Sequence, residues 1–342
     1  MKILVVDDQT ITIRALKEIL CQELDRSRNE IASIRINRTP SLTSSASPVR
    51  EFYGSAGEFA FFVSDADILA VHKAPVTEEV LRAARKLKLI ACARNYPANI
   101  DLEAAARRGI PVVNAPGRAS SATAELTVAL MLSLARKITE ADEMVKKKGS
   151  SAWDYVTRSA LEGVEMKGKT AGIIGFGRAG KKVAEILKAF GMRILVYSES
   201  VSPEEIRSRG AKPATLEELL KNSDFITLHR QLTEKTAKIL GAREFAIVKE
   251  GAYLINTARG GLVDEGALCH ALKTGRLRGA ALDVLTEEPP GAANPLLGLK
   301  NVLLTPHLGG KTKEAPLRSA RLIADEIKRF LNGEKLQNLF CP

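Results

Sequence analysis

Short apolar runs along this chain separate longer stretches whose apolar residues recur three and four positions apart. Lys2 to Val6 reads as a short buried strand, and Ile11 to Leu24 as an amphipathic helix after it. Ile68 to Val71 and Leu89 to Ala93 read as further strands, with Val76 to Leu87 as a helix between them. Residues 39 to 50, rich in Ser, Thr and Pro, read as a loop. Strands that alternate with helices imply a parallel sheet with helices on its faces.

A second series starts at Ile110 to Asn114, followed by a helix from about Ser121 to Ile138 with Ser120 or Ser121 as N-cap. That helix is apolar on nearly all sides, so it belongs either in a core or at a subunit contact. From residue 170 the rhythm is strict. Strands are expected at Ala171 to Ile174, Ile194 to Tyr197, Phe225 to Leu228, Ala252 to Ile255, Ala280 to Val284 and Val302 to Leu304, with helices such as Lys181 to Phe190 between most of them. Six strands in this rhythm match a doubly wound dinucleotide-binding sheet. A long last helix is expected from about Lys313 to Leu331, and no repeat occurs at a solenoid period.

The length of 342 residues suggests two domains at roughly 150 residues each. The net charge of +11 raises the question of an anionic partner, but Lys and Arg are spread along the whole chain, so solubility accounts for it. Aromatics make up 5%, too few for a base-stacking platform, and no nucleic-acid partner is expected. The most apolar helix, Leu126 to Ala135, is far shorter than a membrane span, and the first residues lack the apolar stretch of a signal peptide. Cys21, Cys92, Cys269 and Cys341 form no CxxC pair and fit no zinc spacing. A soluble cytoplasmic protein with reduced thiols and no bound metal is expected.

Gly175-Phe176-Gly177-Arg178-Ala179-Gly180 fits GxGxxG. The first glycine serves the tight turn, the second the approach of backbone N–H groups to a pyrophosphate, the third the packing of helix on strand. The motif alone is weak. Here it follows an expected strand and opens an expected helix, which makes it strong. About 20 residues on, an acid normally meets the adenosine ribose. The segment here is Tyr197-Ser198-Glu199-Ser200, with Ser198 at the usual aspartate position and Glu199 next to it. A 2′-phosphate would favour Ser198, and Glu199 would repel it. NAD is therefore the expected cofactor and NADP the alternative.

Three segments carry candidate chemistry: Asn256-Thr257-Ala258-Arg259-Gly260-Gly261-Leu262-Val263-Asp264-Glu265, Ala281-Leu282-Asp283-Val284-Leu285-Thr286-Glu287-Glu288-Pro289, and Leu304-Thr305-Pro306-His307-Leu308-Gly309-Gly310. Each starts at the carboxyl end of an expected strand, where open α/β sheets bind ligands. In these segments and the glycine loop, in this order and spacing, the chain resembles the D-isomer-specific 2-hydroxyacid dehydrogenase family, which includes phosphoglycerate dehydrogenase and glyoxylate reductase. The likeness runs from about residue 66 to about residue 335; the first 65 residues match only in general pattern.

The resemblance implies an oxidoreductase that moves a hydride between NAD(P) and C2 of a small D-2-hydroxy or 2-oxo acid, such as 3-phosphoglycerate or glyoxylate and hydroxypyruvate. It implies that Arg259 holds the substrate carboxylate, since a guanidinium donates two parallel hydrogen bonds. His307 would be the general acid or base. Glu288 would hydrogen-bond and orient it. Asp283 would contact the nicotinamide end of the cofactor, and Thr257, Arg178 and Ala179 would line its groove, with Ala258, Gly309 and Gly310 beside them. The two glycines after Arg259 are taken as room for a ligand. Glu287 reads as a solvated loop residue. Asp264 and Glu265 read as the cap and start of a helix. His72, His229 and His270 read as structural or exposed, although His229 ends a strand near the cofactor groove.

Two departures from the family stand out. Its Gly-rich loop before Val-Asp-Asn-Ile-Asp is here Ala91-Cys92-Ala93-Arg94-Asn95-Tyr96-Pro97-Ala98-Asn99-Ile100-Asp101. Arg94, Asn95 and Tyr96 are thus candidate substrate contacts. Arg94 and Lys73 either add charge for a second acidic group or face solvent. In Leu228-His229-Arg230-Gln231, Arg230 replaces a neutral residue near the cofactor, to bind an adenosine-side phosphate or to shape the pocket. The resemblance further implies two Rossmann-like domains: a flavodoxin-like substrate domain of residues 1–101 and 309–342, and an inserted NAD-binding domain of 102–308. Hinges near Asp101 and His307 would let the cleft close and expel water. A homodimer is expected, with the helix after Ser121 as a contact. The competing function on this fold is an NAD(H)-sensing corepressor-like binding protein, which would bind NADH without turnover. Formate-type relatives carry Gln where this chain has Glu288.

Overall fold

The computed structural model describes residues 1–40, 47–154, 159 and 161–340. Part of the 39–50 loop and Cys341 lie outside them. The chain divides into two compact units, Met1–Arg118 with Thr312–Pro342, and Ala119–Lys311.

The first unit is a parallel sheet of β1 (Lys2–Asp7), β2 (Glu30–Arg35), β3 (Ile68–Val71), β4 (Leu89–Cys92) and β5 (Val112–Val113), in the order β2-β1-β3-β4-β5. Strands β3 and β4 are buried at every position. Both faces of the sheet are covered, which explains their uninterrupted apolar runs. Ile3, Val5, Ile68 and Leu89 pack with Ile13, Leu16 and Leu20 of the helix Ile11–Glu23 and with Ile323 and Ile327 of the helix Glu314–Leu331. Leu4, Val6, Leu69 and Ile90 face the other way, onto Phe59, Val80, Leu81 and Ala104.

Strand β2 was not legible as a strand. It is an edge strand with no fully buried residue, so its six residues lack the apolar run that marks the others. The boundary between units also differs from the expected one near Asp101. Asp101 caps the helix Leu102–Arg107 by accepting from Ala104 N (2.9 Å), and β5 pairs with β4, so residues up to Arg118 belong to the first unit. The return crossing falls after Lys311, not at residue 309.

The second unit is a parallel sheet of β6 (Thr170–Ile174), β7 (Arg193–Tyr197), β8 (Lys212–Pro213), β9 (Phe225–Leu228), β10 (Ala252–Asn256), β11 (Leu277–Leu282) and β12 (Val302–Leu304), in the order β12-β11-β10-β9-β6-β7-β8. Strand β6, first in sequence, lies inside the sheet between β9 and β7, so the order reverses beside it; this is the switch point at which open sheets bind ligands. Seven strands replace the expected six. The extra one, β8, has two residues and ends in Pro213, which an edge position tolerates. Strand β11 runs from Leu277 rather than from Ala280; exposed Arg278 interrupts its apolar run.

The helix Ser120–Arg136 is N-capped at Ala119, one residue before the serines expected to cap it, and no side chain caps it. Its Ala124, Val128, Met131 and Ala135 join the core formed by β6, β10 and the helix Arg178–Ala189. One face of this apolar helix is therefore spent inside its own unit. Among the described residues, no helix is long and apolar enough to cross a membrane, and no group of three or more His, Cys, Asp or Glu is placed to hold a metal. Cys21, Cys92 and Cys269 are free thiols.

Candidate active site

Ile174 pairs with Tyr197 on one side and Leu228 on the other, so the residues that follow β6, β7 and β9 meet at one edge. Gly175 turns there with φ +95°, and its N–H donates to the Tyr197 carbonyl (2.8 Å). A Cβ on Gly175 would lie 2.6 Å from the His229 carbonyl oxygen, and one on Gly180 would lie 2.3 Å from the Gly175 oxygen. Both positions therefore require glycine. Gly177 faces open space and is the N-cap of the helix Arg178–Ala189, with no side chain capping it. The first-turn N–H groups of that helix are thus not taken by a side-chain cap. Uncapped helix N-termini attract anions, so the turn fits a pyrophosphate. Arg178 is exposed and Ala179 partly so at this end.

The ends of β7 and β9 carry a compact polar cluster. Glu199 accepts from the Tyr197 hydroxyl (2.6 Å) and is ion-paired with Arg230, whose guanidinium lies over the Tyr197 ring at 5.8 Å. The Tyr197 hydrogen bond and then Arg230 hold the Glu199 carboxyl below its usual range. Ser198, which lies between Tyr197 and Glu199 in sequence, is half-buried. The His229 ring sits against Thr227 Oγ1 (3.0 Å), and desolvation pushes its pKa down to about 4, so it stays neutral and has no charge to offer a substrate.

The reaction cluster lies across β10, β11 and β12, which are neighbours with Asn256 opposite Leu282 and Leu282 opposite Leu304. His307 Nδ1 is 2.6 Å from Glu288 Oε2, and the other Glu288 oxygen accepts from Leu285 N (3.1 Å). The imidazole is half-exposed, and Nε2 is the nitrogen left to meet a reactant. His307 has φ +55°, an uncommon conformation for a non-glycine residue. Asp283, 1% exposed, explains how it is held. One Asp283 oxygen accepts from Thr305 Oγ1 (2.6 Å) and Leu308 N (2.6 Å), the other from Gly309 N (2.7 Å). The Asp283 carbonyl also accepts from His307 N (2.9 Å). Asp283 thus anchors the histidine loop, a task the sequence did not reveal.

Arg259 is exposed at the end of β10, with one guanidinium nitrogen donating to the Ala258 carbonyl (2.6 Å). Its loop is shaped by Asn256, 1% exposed, which donates to the Arg259 carbonyl (2.9 Å) and accepts from Ala258 N (3.0 Å). The two glycines after Arg259 have a different reason from the one expected. A Cβ on Gly260 would lie 2.0 Å from the Leu285 carbonyl carbon, and one on Gly261 would lie 2.9 Å from the Leu232 side chain. Gly260 brings the Arg259 loop into backbone contact with the loop of Glu288, and Gly261 lets it pass the Leu232 side chain. Asp264 caps the helix Glu265–Lys273 by accepting from Ala267 N (3.0 Å).

The helix Ser120–Arg136 supports both loops. Thr127 donates to the Thr123 carbonyl (2.7 Å) and so accepts from Thr257 Oγ1 (2.7 Å), while Thr123 donates to the Gly309 carbonyl (3.1 Å). The Thr257 hydroxyl therefore points inward. A Cβ on Gly309 would lie 3.0 Å from Asp283 Oδ2, and one on Gly310 would lie 3.3 Å from Ala119. A small residue at each keeps this turn closed. Neither Asn256 nor Thr127 was singled out beforehand; a buried polar residue at a strand end or inside an apolar helix is the signal that points to such props.

The four candidate substrate contacts lie in the first unit. Lys73 Nζ donates to the Tyr53 hydroxyl (3.1 Å) and sits 4.4 Å from the centre of that ring. Arg94 is ion-paired with Glu51 and donates to its carbonyl (3.0 Å). Asn95 accepts from Gly117 N (3.0 Å), and Tyr96 packs edge-on against Phe340 (5.5 Å). Asn95 and Tyr96 thus fasten their loop to other segments of the first unit. His72 is structural: its Nδ1 lies 3.1 Å from Asp8 Oδ2, and desolvation lowers its pKa. Asn99, fully buried, donates to the Ala74 carbonyl (2.7 Å), so the shared Asn-Ile-Asp ending fastens one loop to another.

Residues 128–309 match the family model described as D-isomer specific 2-hydroxyacid dehydrogenase, NAD binding domain. The chain is 46% identical over 279 residues to a D-3-phosphoglycerate dehydrogenase of Methanocaldococcus jannaschii, covering 81% of this chain and 52% of that protein. It is 45% identical over 268 residues to a glyoxylate reductase of Thermococcus litoralis, covering 77% and 80%. The chain spans about half the length of the phosphoglycerate dehydrogenases it matches. Among solved structures it resembles a D-lactate dehydrogenase with NAD+ from Lactobacillus jensenii, at 26% identity and a TM-score of 0.78 over 100% of both chains. With the glycine turn at the switch point and the glutamate and histidine of the pair three and four strands away, the chain belongs to the D-isomer specific 2-hydroxyacid dehydrogenase family.

Proposed function

We propose that the chain is an NAD(P)-dependent dehydrogenase that interconverts a small D-2-hydroxy acid and its 2-oxo acid. The observation that carries this reading is the 2.6 Å pair of His307 and Glu288, set on the same sheet edge as Arg259 and the glycine turn. A bound nicotinamide supplies or accepts the hydride at C2. The chain's own residues do the rest. Arg259 holds the carboxylate with two parallel hydrogen bonds. His307 gives a proton from Nε2 to the oxygen at C2 in reduction and takes it back in oxidation. Glu288 accepts from Nδ1, which fixes the ring and leaves the other nitrogen as the exchanging one.

In this reading the unit Ala119–Lys311 carries the cofactor. The reading includes a cytoplasmic homodimer.

A panel assay tests it, crossing NADH and NADPH with glyoxylate, hydroxypyruvate, pyruvate, 2-oxoglutarate and 3-phosphohydroxypyruvate and following nicotinamide absorbance. Turnover with at least one acid is expected. NADH binding with no turnover on any of them would instead mark a nucleotide sensor. On the best acid, Arg259→Lys is expected to raise KM by about ten-fold or more, because lysine lacks the fork that grips a carboxylate. An unchanged KM would place the carboxylate elsewhere.

A further inference from the structure

The ribose end of a dinucleotide site ordinarily reads the cofactor with an acid at the end of the second strand, or accepts a 2′-phosphate with a nearby arginine. This chain has serine at the first of those positions and both an acid and an arginine just past the ends of the two strands that flank β6. We infer that the Glu199–Arg230 ion pair sets cofactor choice here: Glu199 withholds the guanidinium that a 2′-phosphate needs, so the chain selects NAD(H), and loss of the Glu199 charge alone opens it to NADP(H). The inference rests on the reading that the glycine turn seats a dinucleotide.

The cluster is held rather than loose. Glu199 is fixed from two directions, one oxygen accepting from the Tyr197 hydroxyl at 2.6 Å and the other paired with Arg230. The Arg230 side chain is only 18% exposed and lies over the Tyr197 ring. Lys181, three residues after the exposed Arg178 in the adjoining helix, is taken up by Glu205 (2.5 Å). Two arginine or lysine side chains near the edge are therefore already balanced by carboxylates. A ribose 2′-hydroxyl can donate to a fixed carboxylate. A 2′-phosphate meets like charge and finds its natural partner occupied. With Gln at position 199, the Tyr197 contact and the bulk remain, the repulsion disappears, and Arg230 and Ser198 become donors for the phosphate.

The test is equilibrium binding to the full chain by calorimetry, with NADH, NADPH, AMP and adenosine 2′,5′-bisphosphate as probes. The wild type is expected to bind NADH at least about ten-fold more tightly than NADPH, and Glu199→Gln to tighten NADPH by about ten-fold, the scale of one charge-assisted hydrogen bond. Adenosine 2′,5′-bisphosphate should gain against AMP by a similar factor, which places the change at the 2′ position. The double variant Glu199→Gln with Arg230→Ala should lose the gain. If both dinucleotides bind and their affinity ratio is the same in wild type and Glu199→Gln, the inference is overturned while the dinucleotide reading stands. If neither binds the wild type, both fall together.

Discussion

Replacing His307 with alanine is expected to lower kcat by about 10²- to 10⁴-fold, the range a positioned general acid or base contributes. The Kd for NADH should stay within a factor of about two, since the imidazole bonds to Glu288 and not to the glycine turn. The loop should survive the change. Its shape comes from Asp283, which accepts from Thr305, Leu308 and Gly309, and from the His307 backbone N–H, which alanine keeps. Histidine adopts a positive φ more readily than alanine does, so a small loss of stability should accompany the change, read as a modest fall in Tm. Steady-state kinetics on the best acid of the panel, together with NADH titration, checks both halves. Turnover near the wild-type rate would take His307 out of the proton transfer. A loss of NADH binding equal to the loss of rate would recast it as a cofactor contact.

How much of this was legible beforehand depends on the physical kind of signal. Buried strands such as Ile68–Val71 and Phe225–Leu228 announce themselves because both faces of a parallel sheet are covered and every residue must be apolar. The edge strands β2 and β8 do not, because one side of an edge strand needs no apolar residue. The glycine turn was legible because its geometry admits no other residue at Gly175 and Gly180. Histidine and glutamate were legible through a family pattern, and the fold brings the two side chains to 2.6 Å. What could not be read was the scaffolding. Whether a glycine makes room for a ligand or for another backbone depends on a neighbour distant in sequence, as Gly260 against Leu285 illustrates. The same holds for Arg230, whose partner Glu199 lies 31 residues away, and for Thr127, bonded to Thr257 across the core.

Asp283 is where that hidden scaffolding has the largest expected consequence. Family resemblance places it at the nicotinamide, yet its carboxylate is almost fully buried and already accepts three hydrogen bonds from the histidine loop. Asp283→Asn turns one accepting oxygen into a donor. Whichever way the amide is set, a donor faces a donor: Gly309 N–H on one side, or Leu308 N–H and the Thr305 hydroxyl on the other. A buried donor left without an acceptor costs about 1–3 kcal/mol. In a unit of this size each kcal/mol lowers Tm by about 2–4 °C. The loop must shift to relieve the clash, and His307 moves with it; a displacement near 1 Å in a catalytic group costs about 10²-fold in rate. The expected result is a kcat reduced by about ten- to a hundred-fold, with a lower Tm and an NADH affinity close to that of the wild type. Rates normalised to the number of NADH-binding sites separate this from partial unfolding, which removes sites without slowing those that remain. A variant that keeps its Tm and kcat but loses NADH affinity would show that the carboxylate serves the cofactor directly and that the histidine loop holds its shape without it.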